Sequence, residues 1–296
     1  MDVSVIIINY NTLKMTRECI DSVFKETHGV EFEVILVDNS SNDGSKEWFE
    51  QDARIKYIYS DSNLGFGKAN NLGYKYAQGK YIFLLNSDTL LISNTILQFY
   101  KFMEGNDISI ACVGCELLDL DGNAVTSYGE FPSISLILKQ RLSHIIPRKY
   151  RKYYGNNGLY RKDIGNNAYL VDYITGADLF IRKEVIEQCG LFDPDFFLYY
   201  EETEMQYRYR VKGYYSCVLK QLKIIHLEGG SSNKKNNHLV HARKAMCSIF
   251  LYMRKTHGIF YYLAFRFLFF LISLPSFLYF RYPIKDRMLY LRELLS

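Results

Sequence analysis

The sequence predicts an α/β fold, with a mostly parallel central sheet flanked by helices and a C-terminal helical extension. Over the first 115 residues, short apolar runs alternate with amphipathic stretches, which is the βαβ order of a parallel sheet. A polar turn follows each of the main apolar runs, and parallel strands bring such turns to one edge of the sheet. With 296 residues, 48% hydrophobic and 23% charged, the chain can form one large domain and an appendage.

The elements follow in order from these patterns. Apolar runs predict strands at residues 3–9, 34–37, 55–59, 81–85 and 110–115. Apolar residues at helical spacing predict helices at residues 12–25, 45–51, 67–77 and 94–103. Ordered structure is expected again at residues 169–174, 176–182 and 184–189. Residues 130–170 are rich in basic, Tyr and Asn residues, which predicts a loop-rich insertion. From residue 238 the pattern is mostly helical, with breaks expected at Pro275 and Pro283.

Among the six cysteines, the closely spaced pair indicates buried structural thiols rather than a metal site. Cys112 and Cys115 form a CxxC pair inside a strand-like stretch, and no second pair is available to complete a zinc site. The chain begins without the charged segment and apolar run of a secretory signal. We therefore expect a reducing, cytoplasmic location.

Charge is concentrated in the C-terminal tail. The net charge of the whole chain is +4, but residues 243–296 hold nine Lys or Arg and only two acids. The tail therefore carries +7 and the remaining body −3. This distribution favours contact between the tail and an anionic surface, and it argues against nucleic acid, which would require a basic body as well.

The tail also contains a long apolar run, GIFYYLAFRFLFFLISLPSFLYF at residues 258–280, in which Arg266 is the only charge. Its charge-free part, residues 267–280, has 14 residues and is shorter than the ~20 that a spanning helix needs. We therefore expect an anchor in the membrane interface, peripheral on the inner face of the cell membrane. The alternative is a helical pair that caps the domain or forms a homodimer.

The glycine-rich stretch NLGFGKANNLG, residues 63–73, matches neither common phosphate loop. Gly65 and Gly67 lie too close together for a Walker A loop. The dinucleotide pattern needs a glycine where Asn70 stands. What remains is a glycine-rich turn that leads into a helix and lets a ligand approach the backbone.

Six stretches of the chain carry a resemblance to a known family. They are VSVIIINYN, EVILVDNSSNDGS, NLGFGKANNLG, YIFLLNSDT, TGADLFIRKEV and LFDPDFFLYYEETEMQYRYRVKGY. In this order they resemble family 2 glycosyltransferases of the GT-A fold, in a subgroup that transfers rhamnose and related sugars. The resemblance covers about residues 3–232. It implies a nucleotide-binding half (1–115) and an acceptor half (116–237) within a domain of residues 1–237, followed by an extension at 238–296.

The strand ends and the glycine-rich turn form the expected site for a nucleotide-sugar donor. Its residues are Asn9, Tyr10, Asn11, Asp38, Asn63, Gly65, Lys68, Asn70, Asn86, Ser87 and Asp178. Asp38 follows a buried strand and can accept from a pyrimidine N3–H, as the matching Asp does in the family; alternatively it caps the turn through residues 40–43. Asp178 lies where relatives contact donor or acceptor; alternatively it is a loop carboxylate that closes the sheet edge.

The resemblance implies a divalent metal, Mn²⁺ or Mg²⁺, held by Asp88 and His226. Asp88 matches the last Asp of the family's DxD motif, and Asn86 replaces the first. The ion would neutralise the departing diphosphate. The alternatives are that Asp88 caps the following helix and that His226 is a hydrogen-bonded polar residue without a metal.

The acidic cluster at residues 201–204 supplies the expected base. Relatives read Glu-Asp-x-Asp here, so Glu202 takes the place of the Asp assigned as general base, with Glu201 as second choice. Aromatic walls should raise the pKa of such a carboxylate. Glu204 and Arg208 are expected to form an i,i+4 ion pair on the same helix.

These features together predict an inverting, metal-dependent glycosyltransferase. It would move a sugar, with dTDP-rhamnose as the first choice of donor, to a glycan or to a saccharide on a polyprenyl diphosphate. A UDP-sugar-dependent enzyme of the same fold is the nearest alternative. A non-catalytic nucleotide-sugar-binding protein is a second, since Asn86 and Glu202 depart from the family pattern. A nucleotidyltransferase would need a basic activating loop near the N-terminus, where only Lys14 stands.

Overall fold

The computed structural model describes residues 1–145, 161–165, 167–227 and 238–278. The chain divides into two compact units. Unit 1 comprises Met1–Glu130, Tyr160–Phe197 and Glu201–Asn233, and unit 2 comprises Phe131–Leu159, Leu198–Tyr200 and Lys234–Ser296. The domain boundary at residue 237 stays a prediction.

Strands and helices alternate through most of unit 1. The strands are β1 (Val3–Asn9), β2 (Phe32–Asp38), β3 (Lys56–Tyr59), β4 (Tyr81–Asn86), β5 (Thr89–Leu91), β6 (Ile110–Leu118), β7 (Tyr128–Gly129), β8 (Arg161–Asp163), β9 (Ala168–Val171), β10 (Tyr173–Ile174), β11 (Asp178–Arg182) and β12 (Tyr215–His226). The helices of the chain are α1 (Leu13–Glu26), α2 (Ser45–Phe49), α3 (Phe66–Tyr74), α4 (Thr95–Glu104), α5 (Ile134–Ile145), α6 (Lys183–Cys189), α7 (Glu201–Val211), α8 (His238–His257) and α9 (Ile259–Leu278). Of these helices, α5, α8 and α9 belong to unit 2.

The main sheet of unit 1 has the strand order β3-β2-β1-β4-β11-β6-β12-β9-β8, with β5 paired to β12. Strands β3, β2, β1 and β4 are parallel, which confirms the βαβ arrangement predicted for the first half. Strand β6 does not lie beside β4, because β11 is inserted between them and runs antiparallel to both. Strands β6 and β12 are parallel. The sheet is therefore mixed, with mostly parallel core strands.

The central strands are apolar along their whole length because both faces of the sheet are covered. Val5 and Ile7 of β1 belong to one hydrophobic cluster, and Ile6 between them belongs to the cluster on the opposite face. All three side chains are fully buried. A strand covered on both faces needs no polar alternation, which explains the uninterrupted apolar run in the sequence.

Two predictions about the second half of the chain are wrong. Residues 134–145 form helix α5, although residues 130–170 were expected to be loop-rich. The basic and Tyr/Asn composition that predicted a loop lies mostly after this helix, at residues outside the described part. Helix α9 also continues through Pro275, where a break was expected. Pro283 lies outside the described residues.

The predictions for the cysteines and for the ion pair on α7 are confirmed. Cys112 and Cys115 are free, buried thiols. Arg208 donates to the Glu204 carboxylate across 2.7 Å, one turn along α7.

In unit 2, α8 and α9 pack through aromatic side chains. Phe250 of α8 contacts Phe265 and Phe269 of α9, with ring centroids 5.9 Å and 5.4 Å apart. The backbone N–H of Ile134, at the start of α5, donates to the Tyr261 hydroxyl of α9 at 2.8 Å. Within the described ranges, no helix combines the length and the apolar character needed to cross a bilayer.

The inserted strand β11 provides a test of the core. Phe180 is fully buried, and its ring lies 5.2 Å from that of Tyr81 and 5.4 Å from that of Phe99. We expect Phe180→Ala to lower the free energy of unfolding by roughly 3–5 kcal/mol, because it leaves a cavity between β4 and α4. Urea denaturation measures this change.

The matched control is Val211→Ala, at a side chain that is 70% exposed at the end of α7. It should change the free energy of unfolding by less than about 0.5 kcal/mol. A loss below about 1 kcal/mol for Phe180→Ala would contradict the packing described for β11.

Candidate functional site

The polar strand ends meet at one edge of the sheet. Asn9 at the end of β1 pairs in register with Asp38 at the end of β2. Ile8, the preceding residue of β1, pairs with Asn86 at the end of β4. These three strand ends are therefore adjacent, as expected for the carboxyl ends of parallel strands.

Asn9 organises this edge from within the protein. Its side chain is fully buried, and its carbonyl oxygen accepts from the hydroxyls of Thr12 and Thr16 at 2.9 Å and 2.8 Å. Its amide nitrogen donates to the hydroxyl of Ser41 at 2.9 Å. These bonds occupy the Asn9 side chain, so it acts by holding the β1–α1 and β2–α2 loops together rather than by reaching a ligand.

Tyr10 and Asn11 form the accessible part of the β1–α1 loop. Tyr10 is 44% exposed. Asn11 has a left-handed backbone with φ 55°, a conformation that Asn tolerates better than most residues. Its side-chain carbonyl oxygen accepts the backbone N–H of Asn42 at 2.8 Å. The loop is thus fixed, and the Tyr10 ring is available to a ligand.

Asp38 is a buried turn cap. One carboxylate oxygen accepts the backbone N–H of Ser41 at 2.8 Å, and the other accepts the Tyr57 hydroxyl at 3.1 Å. The side chain has no exposed area. The cap that the sequence left as an alternative is therefore formed.

The glycine-rich turn packs against the chain just before the acidic cluster. Gly65 has φ 80°, and a Cβ atom there would lie 2.3 Å from the backbone oxygen of Phe197. That same oxygen accepts the backbone N–H of Phe66 at 3.1 Å. Asn63 steadies the turn by accepting the Gly65 N–H at 2.9 Å. Glycine is required at residue 65 both for its backbone conformation and for this close approach.

The start of α3 also approaches the acidic cluster itself. A Cβ atom at Gly67 would lie 3.7 Å from the Cβ of Glu201. Lys68 is exposed beside it, whereas Asn70 is 1% exposed and donates to the backbone oxygen of Phe66 at 3.0 Å. Lys68 can reach a ligand, but Asn70 is a buried helix residue.

Asp88 and His226 lie side by side. The Nε2 atom of His226 is 3.3 Å from the Oδ1 atom of Asp88. Strand pairing causes this, because His226 ends β12 opposite Thr89 of β5, and the backbone N–H of Leu227 donates to the backbone oxygen of Asp88 at 2.8 Å. Ser87, beside Asp88, lies 3.3 Å from the Thr12 hydroxyl. The two residues predicted to share a metal are thus adjacent, although 138 residues separate them in sequence.

Asp178 is in strand β11 rather than in a loop, which corrects the alternative drawn from the sequence. Its side chain is fully buried, and one carboxylate oxygen accepts the backbone N–H of Cys115 at 2.7 Å. The other oxygen has no hydrogen-bond partner among the described residues. Burial raises the pKa of Asp178 to about 7, while the Cys115 hydrogen bonds and the charge of His226 oppose the rise. Asp178 thus lies beneath the rim and not on it.

Glu201 and Glu202 begin helix α7, where the helix dipole favours negative charge. Glu201 is 2% exposed, and burial, followed by the charge of Glu202, raises its pKa well above the usual range. Burial also raises the pKa of Glu202. A Cβ atom at Gly176 would lie 3.9 Å from Cγ of Glu202 and 3.3 Å from the Phe66 ring. Glu202 therefore faces the small-residue turn that precedes β11.

Sequence reasoning missed two contributions to this site. The first is the backbone oxygen of Phe197, which joins the glycine-rich turn to the acidic cluster and has no sequence signal. The second is Gln206, a buried residue that exchanges two hydrogen bonds with the backbone of Ile174, at 2.9 Å and 2.8 Å. The only sequence signal for this contribution was an amide side chain one turn after Glu202. In the structure, the Gln206 side chain anchors α7 beside the turn at residues 175–177.

Comparison with known proteins decides the family. The profile described as Glycosyl transferase family 2 matches residues 4–167, more than half of the chain. The chain belongs to glycosyltransferase family 2. Among its relatives is the low-salt glycan biosynthesis hexosyltransferase Agl10 of Haloferax volcanii, 29% identical over 213 residues. That match covers 71% of this chain and 62% of Agl10, so the chain spans less than two thirds of that relative.

Solved structures agree on the fold. The mannosyltransferase PcManGT from Pyrobaculum calidifontis, in complex with GDP-Man and Mn²⁺, aligns with a TM-score of 0.56 at 15% identity, over 86% of this chain and 63% of its own. GalNAc-T7 with UDP, GalNAc and Mn²⁺ aligns with a TM-score of 0.56 at 17% identity, over 84% of this chain and 47% of its own. At these identities the likeness concerns the fold alone, and it confirms the GT-A fold of this family 2 glycosyltransferase.

The buried carboxylate of Asp178 predicts how stability depends on pH. Its pKa is 3.8 in the unfolded chain and about 7 in the folded protein, so its contribution to stability is full below about pH 4 and is lost as pH rises to 7. The asparagine of Asp178→Asn does not titrate. Over this range the wild type should lose up to about 4 kcal/mol of unfolding free energy relative to the variant.

Urea denaturation at several pH values between 4 and 8 measures this difference. Asp121→Asn, at an exposed carboxylate of the β6–β7 connection, is the matched control and should follow the wild type. Parallel pH curves for the wild type and Asp178→Asn would show that Asp178 is ionised in the folded protein.

Proposed function

We propose that the protein is an inverting, metal-dependent glycosyltransferase that uses a nucleotide-sugar donor. The observation that carries the proposal is the Asp88–His226 pair, 3.3 Å apart at the strand-end rim of a family 2 GT-A fold. Glu202 and the glycine-rich turn lie beside the neighbouring turn at residues 175–177. The rim therefore combines groups for a metal, a diphosphate and an acceptor proton.

The donor set fits a divalent ion. Asp88 offers a carboxylate oxygen and His226 an imidazole nitrogen, a combination that suits Mn²⁺ better than Mg²⁺. Among the residues the structure describes, no group of three or more His, Cys, Asp or Glu side chains could hold a metal. Asp88 and His226 would hold it together with the diphosphate of the donor. When bound, the ion supplies charge neutralisation for the leaving diphosphate.

Glu202 is proposed as the general base that takes the proton from the acceptor hydroxyl. Its raised pKa suits a base that works near neutral pH. Glu201, deeper and next to it, is proposed to stay protonated, because burial and the Glu202 charge both oppose its ionisation. A single accessible base on one side of the sugar fits direct displacement with inversion.

The donor and acceptor are proposed at the level of class. A hexose is transferred to a glycan or to a saccharide on a polyprenyl diphosphate, and dTDP-rhamnose is the donor to test first, with UDP-sugars next. Tyr10, Lys68, Asn86 and Ser87 are proposed donor contacts. Asn9, Asp38, Asn70 and Asp178 are proposed to position the loops around the donor, since they are buried. A lipid-linked acceptor would be met at the inner face of the membrane, where we propose the tail attaches.

The decisive test of the metal pair is a thermal-shift screen of nucleotide sugars with and without Mn²⁺. The best donor should raise the melting temperature of the wild type further when Mn²⁺ is present. In Asp88→Ala this extra shift should disappear while the metal-free shift remains, and nucleotide release should fall below detection. Asp121→Ala, at an exposed carboxylate, should behave as the wild type. An intact Mn²⁺-dependent shift in Asp88→Ala would remove Asp88 from the metal site.

Glu202→Gln tests the base. It keeps the shape of the side chain and removes proton acceptance, so kcat should fall by about 10²- to 10⁴-fold. Donor affinity, from the thermal shift, should stay within about threefold. Glu187→Gln, at an exposed Glu of α6, is the matched control. A Glu202→Gln protein with full turnover would overturn the assignment, and donor binding without any nucleotide release in the wild type would identify a non-catalytic binder.

A further inference from the structure

Helix α9 of unit 2 has two apolar faces, and only one of them is covered. Phe265 and Phe269 are 1% and 8% exposed and pack on Phe250 of α8. A second set of apolar side chains on the same helix is strongly exposed: Phe260 (86%), Leu263 (53%), Phe267 (63%) and Leu271 (43%). We call these four residues the α9 stripe.

The α9 stripe is one continuous surface. Its members are spaced by three, four and four residues, which places them on one side of an α-helix. The stripe therefore extends over roughly 16 Å of helix. Large apolar side chains that are scattered singly over a surface need no explanation, but four aligned on one helix face indicate a contact surface.

The charges around the stripe define its partner. Residues 238–278 contain five Lys or Arg and no Asp or Glu. Arg254 and Lys255 are exposed at the end of α8, a few residues before the start of α9. Exposed basic residues that precede an exposed apolar stripe in the chain match a bilayer surface that carries anionic headgroups over hydrocarbon.

A second copy of the chain fits the same surface less well. A symmetric dimer through the stripe would bring together two segments that each carry these basic residues, with no acidic residue in residues 238–278 to balance them. An anionic bilayer supplies the opposite charge. The two-faced packing of α9 also fits a helix that lies in the membrane plane, since one face is already used by α8.

We propose that the α9 stripe is the lipid-contacting surface of the protein and inserts into the interface of an anionic phospholipid bilayer. The inference deepens the proposed membrane attachment, on which it rests, by assigning it to four side chains rather than to the whole apolar run. Phe260 and Phe267 are the main inserted groups because they are the most exposed. Arg254 and Lys255 contact the headgroups.

Vesicle co-sedimentation of the full chain tests this proposal. Vesicles of phosphatidylcholine with phosphatidylglycerol are compared with phosphatidylcholine alone, each at low and high salt. The wild type should bind the anionic vesicles more tightly, and high salt should weaken this binding. The double variant Phe260→Ser, Phe267→Ser should bind at least about tenfold more weakly, because it removes the two largest inserted side chains.

The matched control is the double variant Leu120→Ser, Val211→Ser, at side chains that are 72% and 70% exposed in unit 1. It should bind vesicles as the wild type does. All four substituted positions are exposed, so both variants should fold, and circular dichroism checks this. Equal vesicle binding by the stripe variant and the wild type would overturn the proposal.

Light scattering separates the lipid from a second copy. A dimer that the stripe variant abolishes, together with no binding of the wild type to anionic vesicles, would assign the stripe to self-association and overturn the proposal. Nucleotide release without vesicles should be the same in the stripe variant and the wild type. If no donor is turned over but anionic vesicles are still bound, the glycosyltransferase proposal fails and the lipid surface stands.

Discussion

The antiparallel insertion of β11 between β4 and β6 is the constraint on which the rest of unit 1 depends. It ends the run of parallel strands, and it brings the turn at residues 175–177 beside the end of β4, where the Asn86 N–H donates to the Ala177 oxygen at 3.0 Å. The same turn meets Glu202 and the Phe66 ring through Gly176. One strand therefore connects the strand-end rim, the acidic cluster and the glycine-rich turn.

Much of the first half could be predicted from the sequence because its signals are local. An apolar run such as that of β4 is buried on both faces, and its polar end must emerge at the rim. The position of β11 could not be predicted in this way. Its apolar run is as strand-like as that of β6, so composition does not show which of the two strands pairs with β4. The pairing depends on which edge of β4 stays open, and strand composition does not encode this edge. Helix α5 was missed because residues 130–170 were judged by their overall composition. The twelve residues of the helix contribute only a small part of that composition.

Residue type alone could not separate the carboxylates proposed to bind a ligand from those whose hydrogen bonds are used within the protein. Asp38, Asp88 and Asp178 are all carboxylates near strand ends in sequence. Asp38 accepts from Ser41 and Tyr57, and Asp178 from Cys115, so both are used within the protein. Only tertiary contacts show this, because the partners lie up to 63 residues away. Asp88 differs because β5 and β12 bring a histidine to it.

The separation of these roles has a chemical reason. A base must be partly desolvated to hold a pKa near neutrality, whereas a metal ligand must present its charge toward the diphosphate. If Asp38 and Asp178 also faced the proposed donor site as free anions, they would repel the diphosphate that Asp88 and the ion are proposed to hold. Asp38 instead directs its two oxygens to the Ser41 N–H and the Tyr57 hydroxyl. Asp178, whose pKa is raised to about 7, is protonated below that pH. In the proposed metal site, Asn86 stands where the family resemblance expects the first Asp of a DxD motif, so one negative charge is removed and the diphosphate of the donor would complete the site.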